Sequence, residues 1–267
     1  MRICTWNVNS VRIHTEHVER LLSEQKPDLL CLQEIKVVNE LFPPGLGEAL
    51  GYHHQLIHGQ KAYHGVAILS RLPFTHSETR QWCDKEDARH AWVTVRAEDG
   101  KTFELHNFYV PAGGDIPDPA ANDKFAHKLK FMTEIATWFG ARKADKKNLI
   151  LVGDLNVAPL ETDVWSHKKL LKVVSHTPVE VEHLDRVRAS HDWIDAVRHF
   201  IPESEKLYSW WSYRARDWAA SDRGRRLDHV WVTPGLERAL QSARIVQEAR
   251  GWDKASDHVP VLVDLTL

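Results

Sequence analysis

The alternation of apolar and polar positions along the chain predicts many short strands and a smaller number of helices. The strand-like runs are Arg2–Trp6, Asp28–Gln33, Gly65–Ser70, Ala91–Arg96, Thr102–Tyr109, Asn148–Gly153, Leu227–Val232 and Val259–Leu265. Apolar residues at helical spacing predict one helix after Thr15 and a second, longer one along the stripe from Phe125 to Phe139. We interpret the apolar positions of both helices as core positions.

The order of these elements favours an α/β fold with mixed sheets. Ala91–Arg96 and Thr102–Tyr109 follow each other without a helix between them, and Asp99-Gly100 is a hairpin signal. Such a pair argues against a purely parallel sheet, so mixed sheets covered by helices fit better. No repeat and no convincing linker interrupts the chain, and we expect one domain over residues 1–267. Residues 111–119 are expected to form a long loop of the kind that is often functional.

Composition and charge narrow the class of protein only in part. Hydrophobic residues make up 43% of the chain, which is enough for a sizeable core, and no long apolar run predicts a membrane span. The first residues already read as a strand without a signal peptide, so we expect a cytoplasmic, nucleoid-associated protein that is not secreted. As a separate expectation, the protein is a monomer. The net charge of −2 does not decide for or against nucleic acid, because an enzyme can be acidic at a metal centre and basic at its rim.

The three cysteines are expected to be structural. Cys4 and Cys31 lie within apolar runs, where buried reduced thiols are the ordinary interpretation, and Cys83 makes the count odd. No Cys-x-x-Cys pair is present, so a zinc site is not expected.

Carboxylate and amide side chains stand at the ends of several predicted strands. They are Asn7 and Asn9 after the first run, Glu34 after the second, Asp154 and Asn156 after the sixth, Asp228 within the seventh, and Asp257 with His258 before the eighth. A charged group at such a place is costly to bury unless it is paired or binds a metal. One alone would be a polar cap, but several together predict a convergent oxygen-ligand site, which suits Mg²⁺ or Mn²⁺ better than zinc.

Ser256-Asp257-His258 superficially matches the residues of a serine triad. Sequence neighbours rarely meet in triad geometry, and no Gly-x-Ser-x-Gly turn is present, so we set that interpretation aside. Most of the 17 histidines are expected to be surface or core residues. His258 is singled out because it directly follows Asp257.

Aromatic and basic residues interleave between residues 207 and 226. Rings can stack on bases or fill a gap in a duplex, and guanidinium groups fit phosphates. The candidate DNA contacts are Trp210, Trp211, Arg214, Arg216 and Arg225. The alternative is an aromatic core strand followed by a solvated loop, and for the two tryptophans both interpretations stay open because neighbours on a strand face opposite sides.

Taken in order, the motifs of this chain resemble those of the exonuclease III family of abasic-site endonucleases, within the endonuclease/exonuclease/phosphatase group that includes DNase I. The motifs are Trp6-Asn7-Val8-Asn9-Ser10, Leu32-Gln33-Glu34-Ile35-Lys36, His58-Gly59-Gln60-Lys61 with Gly65-Val66-Ala67, Asn107-Phe108-Tyr109-Val110-Pro111, Gly153-Asp154-Leu155-Asn156, Tyr208-Ser209-Trp210-Trp211-Ser212-Tyr213, Arg226-Leu227-Asp228 and Ser256-Asp257-His258. The resemblance covers nearly the whole chain. It implies a four-layer α/β sandwich of two mixed sheets packed face to face, with helices outside.

The resemblance also implies roles for individual residues. Glu34 would be the principal Mg²⁺ ligand, Asn7 and Asp257 further members of the metal shell, and Asp154, Asn156 and His258 further candidate ligands of the ion. Asp154 would position and deprotonate the attacking water, Asn156 would hold that water or the phosphate, and Tyr109 would donate to the phosphate or the leaving group. His258, oriented by Asp228, would stabilise the developing charge. The number of metal ions, one or two, stays open, as does the choice between Asp154 and a metal-held hydroxide as the base.

The function implied by the resemblance is a DNA-repair hydrolase that acts on double-stranded DNA with abasic sites or blocked 3′ ends. It would combine abasic-site endonuclease, 3′→5′ exonuclease and 3′-phosphatase or phosphodiesterase activities. Arg225 stands where some relatives have an aromatic residue, and Asp222 where bacterial relatives often have Asn, so the substrate pocket is expected to differ. Two alternatives are a same-fold enzyme for RNA, phospholipid or inositol phosphate, and a DNA-binding module without catalysis. The second would show gaps among the site residues, and we find none.

Overall fold

The computed structural model describes residues 1–97, 100–215 and 217–267, and it contains two large sheets and several helices. The strands are β1 (Arg2–Asn7), β2 (Leu29–Gln33), β3 (His54–His58), β4 (Val66–Ser70), β5 (Phe74–Thr79), β6 (His90–Arg96), β7 (Thr102–Tyr109), β8 (Leu149–Asp154), β9 (Ile194–Asp195), β10 (Trp210–Trp211), β11 (Gly224–Arg225), β12 (Asp228–Val232), β13 (Leu240–Ile245) and β14 (Val261–Leu265). The α-helices are α1 (Thr15–Gln25), α2 (Asp123–Arg142), α3 (His167–Leu170), α4 (Pro178–Ser190) and α5 (Trp218–Ser221).

Both large sheets are mixed, as the sequence predicts. The first has the strand order β13-β14-β1-β2-β4-β3 and the second the order β5-β6-β7-β8-β12-β9. Each contains one parallel pair, β1 with β2 and β7 with β8, and its other neighbours are antiparallel. β6 and β7 form the expected antiparallel pair, although Asp99 of the hairpin signal lies outside the described residues.

The sheets face each other across the main hydrophobic core. Ile3 and Leu29 of the first sheet belong to the same buried cluster as Val93, Ile150 and Val230 of the second. Burial of this apolar surface is the dominant favourable contribution to folding. The fully buried thiols of Cys4 and Cys31 and the largely buried thiol of Cys83 are free, which confirms the structural interpretation of the cysteines.

Helices cover the outer faces and complete the four layers. The apolar positions of α1 pack on the first sheet, and those of α2 and α4 pack on the second. The predicted stripe of α2, from Phe125 to Phe139, is buried. The α2 helix begins where the Asn122 side chain accepts a hydrogen bond from the backbone N–H of Lys124, and α4 begins with a capping box between Thr177 and Glu180. None of the helices in the described residues has the length and apolar character that crossing a bilayer requires.

Candidate active site

The polar strand ends of the two sheets meet around one pocket. Because β1 and β2 are parallel, Asn7 and Glu34 lie at the same edge of the first sheet. Because β7 and β8 are parallel, Tyr109 and Asp154 lie at the corresponding edge of the second. β12 runs antiparallel to β8 and places Asp228 opposite Asp154. The pocket has a volume of about 650 Å³, and its lining includes Glu34, Asn156, Trp165, Trp210, Arg214, Arg223, Arg225, Asp257 and His258.

Unusual backbone conformations place the side chains at these strand ends. Glu34 and Asn156 have φ values of 51° and 54°, in the left-handed region that residues other than glycine adopt infrequently. Conformations of this kind cost of order 1–3 kcal/mol and are concentrated at functional sites. Gly153 has a φ of 138°, and a Cβ atom there would lie 1.9 Å from the carbonyl oxygen of Phe108. Only glycine therefore allows β8 to approach β7 and present Asp154.

Glu34 is held by three donors from different parts of the chain. Asn7 Nδ2 donates to Glu34 Oε1 and to Asp154 Oδ2, both at 2.9 Å, and thereby joins the two sheets. The Tyr109 hydroxyl donates to Glu34 Oε1 at 2.8 Å, and Lys36 Nζ lies 2.7 Å from Oε2. Burial acts to raise the pKa of Glu34, but the Lys36 charge and the Asn7 hydrogen bond outweigh it and lower that pKa. The carboxylate is therefore ionised at neutral pH.

Asp228 orients His258 toward Asp154. Asp228 Oδ2 lies 2.8 Å from His258 Nδ1 and accepts a 2.7 Å hydrogen bond from Ser209 Oγ, while His258 Nε2 lies 3.7 Å from Asp154 Oδ2. Burial acts to lower the pKa of His258, but Asp228 and Asp154 raise it to about 10, so the imidazole is cationic at neutral pH. Burial, reinforced by the Asp228 charge and opposed by His258, raises the pKa of Asp154 to about 7.

Asp257 connects the aromatic–basic segment to this centre. Its Oδ2 accepts a 2.9 Å hydrogen bond from Trp210 Nε1, and its Oδ1 accepts one of 3.2 Å from Asn9 Nδ2. Asn9 Nδ2 also donates to the Tyr213 hydroxyl. The rim of the pocket and its acidic centre are thus linked by direct hydrogen bonds.

A family model described as the endonuclease/exonuclease/phosphatase family matches residues 4–258. The chain belongs to this family. It is 30% identical over 269 residues to exodeoxyribonuclease III of Haemophilus influenzae and 28% identical over 265 residues to the exodeoxyribonuclease of Bacillus subtilis, in each case over 98% of both chains. The exonuclease III resemblance stated from the motifs is thereby confirmed.

Solved structures of similar proteins confirm the four-layer fold of this family member. A 3′ phosphatase from Neisseria, bound to a product DNA hairpin, is 28% identical and superimposes with a TM-score of 0.90. An AP endonuclease from Archaeoglobus fulgidus is 28% identical and superimposes with a TM-score of 0.89. Both comparisons cover 100% of each chain.

The candidate DNA contacts of this family member divide into pocket and core residues. Trp210 is half-buried and lines the pocket, with the Arg225 guanidinium 5.2 Å from its ring centroid. Trp211 is only 2% exposed and packs against Tyr208 and Trp218, so a contact between Trp211 and DNA, which the sequence left open, does not fit its burial. Arg214 is exposed at the pocket rim. Arg216 lies outside the described residues.

Two further residues, Ser209 and Lys36, hold the site although no role was predicted for them from the sequence. Ser209 donates to Asp228 and accepts hydrogen bonds from the backbone N–H groups of Leu227 and Asp228. Lys36 forms the ion pair with Glu34. Both lie within motifs that resemble the family, and this was their only signal, since their partners are defined by the fold.

Proposed function

We propose that this chain is a Mg²⁺-dependent DNA-repair nuclease that hydrolyses phosphodiester bonds at abasic sites and at the 3′ ends of duplex DNA. Its relatives include exodeoxyribonucleases, a 3′ phosphatase and an AP endonuclease, which agrees with a DNA-repair nuclease. The observation that carries the proposal is the joint placement of ionised Glu34, buried Asp154 and the Asp228–His258 pair around one pocket.

The charge balance of the site fits a divalent cation. Four carboxylates, which we call the acid cluster, surround its inner end, namely Glu34, Asp154, Asp228 and Asp257. The cations in direct contact with them among the described residues are Lys36 and His258. A hard divalent ion would offset the remaining negative charge. Mg²⁺ fits this oxygen-rich donor set, and Mn²⁺ could replace it.

Glu34 and Asp257 are the acids best placed to hold the ion. Both line the pocket. The carboxylate of Asp228 also lies within 4.8 Å of ligand atoms of Asp154 and His258. However, its Oδ2 is already in hydrogen bonds with His258 and Ser209. The amide nitrogen of Asn7 faces Glu34 and Asp154, so its oxygen would reach a cation only after the amide turned over. We therefore assign Asn7 primarily to joining the two acids.

The remaining requirements of phosphodiester hydrolysis are met by side chains of this chain. An attacking water needs a proton acceptor, the phosphate needs charge neutralisation, and the leaving oxygen needs assistance. Asp154 is the proton acceptor, with Asn156 beside it, its Nδ2 3.2 Å from Asp154 Oδ2. Cationic His258 neutralises phosphate charge. When bound, the metal ion supplies Lewis-acid stabilisation of the same charge.

The Tyr109 hydroxyl donates its hydrogen bond to Glu34, whereas its proposed role requires donation to the phosphate or the leaving group. Its hydroxyl donates to Glu34 at 2.8 Å, and burial, reinforced by the charges of Glu34 and Asp154, raises the pKa of Tyr109 well above the ordinary value. It therefore remains a proton donor at neutral pH. We propose that it transfers this hydrogen bond to the phosphate or leaving group when the substrate enters.

The proposed partner is duplex DNA, contacted by Trp210, Arg214, Arg216 and Arg225. We further propose that residues 1–267 act as one domain and one monomer in the cytoplasm, in association with the nucleoid. The single domain is supported by the pairing of β1 with β14, which places the first and last strands side by side in one sheet.

The decisive experiment measures incision of a duplex that carries one abasic analogue, in Mg²⁺ and in EDTA. Incision at the lesion in Mg²⁺ alone is expected. The substrate panel adds an intact duplex, a duplex with a 3′-phosphate, RNA, an inositol phosphate and a phospholipid. Turnover of only the last three would contradict the DNA assignment, and undiminished cleavage in EDTA would contradict the metal requirement. Tight DNA binding without cleavage would support the non-catalytic alternative.

A further inference from the structure

A buried ion pair joins α2 and α4, the two helices that pack on the second sheet, and it lies close to the pocket. Lys128 of α2 and Glu180 of α4 are both 0% exposed, and Lys128 Nζ lies 2.5 Å from Glu180 Oε1. Removing two such charges from water costs several kcal/mol per ion, and apolar replacements of buried pairs are often neutral or stabilising. Stability alone is therefore a weak reason for this pair.

Lys128 also binds the backbone of two loops that line the pocket. Its Nζ donates to the carbonyl oxygen of Asn156 at 2.8 Å and to that of Ala112 at 3.3 Å. Asn156 is the residue with left-handed φ whose side chain contacts Asp154. Ala112 belongs to the long loop after β7 and lines the same pocket. The lysine ammonium thus joins the backbones of two segments that line the pocket.

Glu180 extends the same network to a third segment of the pocket wall, which contains Ser175. Its two carboxylate oxygens each accept a 2.9 Å hydrogen bond from the backbone N–H of Ser175. Ser175 Oγ in turn accepts a 2.7 Å hydrogen bond from Arg225, and Ser175 O accepts one of 2.7 Å from the backbone N–H of Ala158. The wall that carries Arg225 is therefore tied to the loop that carries Asn156.

We propose that Lys128 and Glu180 form a positioning pair that sets the conformation of the loops bearing Asn156 and Ser175, and so aligns Asn156 and Arg225 with the substrate. Neither member of the pair reaches the pocket itself. The proposal rests on the proposed nuclease function for its kinetic consequence, but its structural content is independent of it. The pair supplies fixed charge beneath a site whose side chains must be held to within a fraction of an ångström.

The double variant Lys128→Met/Glu180→Gln tests this role with little damage to the fold. Met approximates the volume of the lysine stem, and Gln keeps an acceptor for Ser175 and for the capping box of α4. We expect the variant to fold cooperatively and its kcat to fall by about tenfold or more, because a misplacement of about 1 Å can cost about 100-fold in rate. The matched control is Lys130→Met on the same helix, where the lysine is half-exposed and contacts only surface acids.

Two further measurements separate positioning from general destabilisation. If the pair acts through Asn156, its loss should cost much less in an Asn156→Ala background, because residues that act as a unit are not additive. Amide hydrogen exchange of the double variant should be faster in residues 111–115, 155–158 and 173–177 and unchanged in the sheets. Unchanged exchange in those loops overturns the proposal. A wild-type chain without nuclease activity overturns the proposed function instead, while the exchange result still supports or overturns the pair.

Discussion

Asp154 is a carboxylate in a place where its charge is unfavourable. Its folded-state pKa is raised to about 7, mainly by burial, so it destabilises the native state as the pH rises from its unfolded value, about 3.9, to 7. Asp154→Asn removes the proposed proton acceptor and should reduce cleavage by roughly 10²–10⁴-fold. Because it also removes an unfavourably buried charge, Tm at pH 8 in EDTA should hold or rise. Turnover in Mg²⁺ and thermal melting are the measurements, with exposed Glu19→Gln as the control.

Glu34 should behave differently, although it also ends a buried strand. Its pKa is lowered because Lys36 and Asn7 outweigh the effect of burial, so the ionised form stabilises the fold above the unfolded pKa and that contribution is lost as the pH falls. Glu34→Gln should abolish Mg²⁺-dependent cleavage and also lower Tm slightly in EDTA. Near-normal turnover of this variant in Mg²⁺ would remove Glu34 from the proposed metal site.

Asp228 and His258 should act on one step. The 2.8 Å contact between them predicts that Asp228→Asn and His258→Ala damage the same function, so their combined effect on kcat should be far smaller than the product of the single effects. The measurement is a double-mutant cycle on kcat. Multiplicative losses would show that the carboxylate does not work through the imidazole.

At the scale of residues, the motifs predicted the side chains of the candidate site better than the side chains that position them. Glu34, Asp154 and His258 stand at strand ends in recognisable motifs, and the structure brings them together. The supporting role of Lys128 had no such signal, because it occupies a helix otherwise described by its apolar stripe. Its partner Glu180 is 52 positions away, a contact that only the packing of α2 on α4 creates.

At the scale of elements, the strands that the sequence failed to predict lie mainly at sheet edges. β3, β5, β9 and β13 are the edge strands of the two large sheets. β3 is half-exposed along its whole length and β5 is largely exposed, so neither shows the apolar run or alternation that a buried strand requires. Central strands such as β2 and β8 are buried at every position and were predicted within one or two residues.

Mutations in the segment from Tyr208 to Arg226 should distinguish electrostatic binding of DNA from binding that is specific for the lesion. Arg214 is exposed at the pocket rim, so a phosphate contact there would release condensed counterions. Arg214→Ala should weaken binding to abasic and intact duplexes alike and reduce the salt slope by roughly one unit. Affinity across a salt series is the measurement. An unchanged slope would place Arg214 away from the phosphates.

Replacing the two tryptophans of β10 should change different properties: Trp210 should affect DNA binding, and Trp211 should affect stability. Trp210 lines the pocket, so Trp210→Ala should reduce the preference for abasic over intact duplex, by about 1–3 kcal/mol if the ring stacks on a base. Trp211→Ala should instead lower Tm, because a buried Trp→Ala change costs roughly 3–5 kcal/mol. Affinity for both duplexes and melting temperature distinguish the cases. If both variants only have a lower Tm and keep their preference for the abasic duplex, the whole segment has a structural role.

At the scale of the whole molecule, three fully buried histidines should make the fold sensitive to acid. His90, His106 and His229 are 0% exposed. Burial lowers the pKa of His106 and of His229 to about 4 and that of His90 well below its ordinary value. All three are neutral in both states above the unfolded pKa, about 6.5. As the pH falls from there, the unfolded chain binds protons first, so the free energy of unfolding decreases.

This decrease should be measurable between pH 6.5 and 4 even though one acid opposes it. The raised pKa of Asp154 stabilises the fold as the pH falls below about 7, so the three histidines and Asp154 together give a difference of about two protons, or about 3 kcal/mol per pH unit. His64, whose pKa burial lowers to about 4, adds to this difference. Urea unfolding at pH 7.5, 6.0 and 5.0 in EDTA measures this decrease in the free energy of unfolding.

The variant His90→Phe tests the contribution of one buried imidazole. The His90 ring is stacked on Phe108 at a centroid distance of 3.8 Å, so the variant keeps the aromatic packing. It should reduce the pH dependence of the free energy of unfolding by about one proton. His199→Asn, at an exposed position, should leave it unchanged. An equal slope in wild type and His90→Phe would mean that buried imidazoles do not govern the acid sensitivity of this fold.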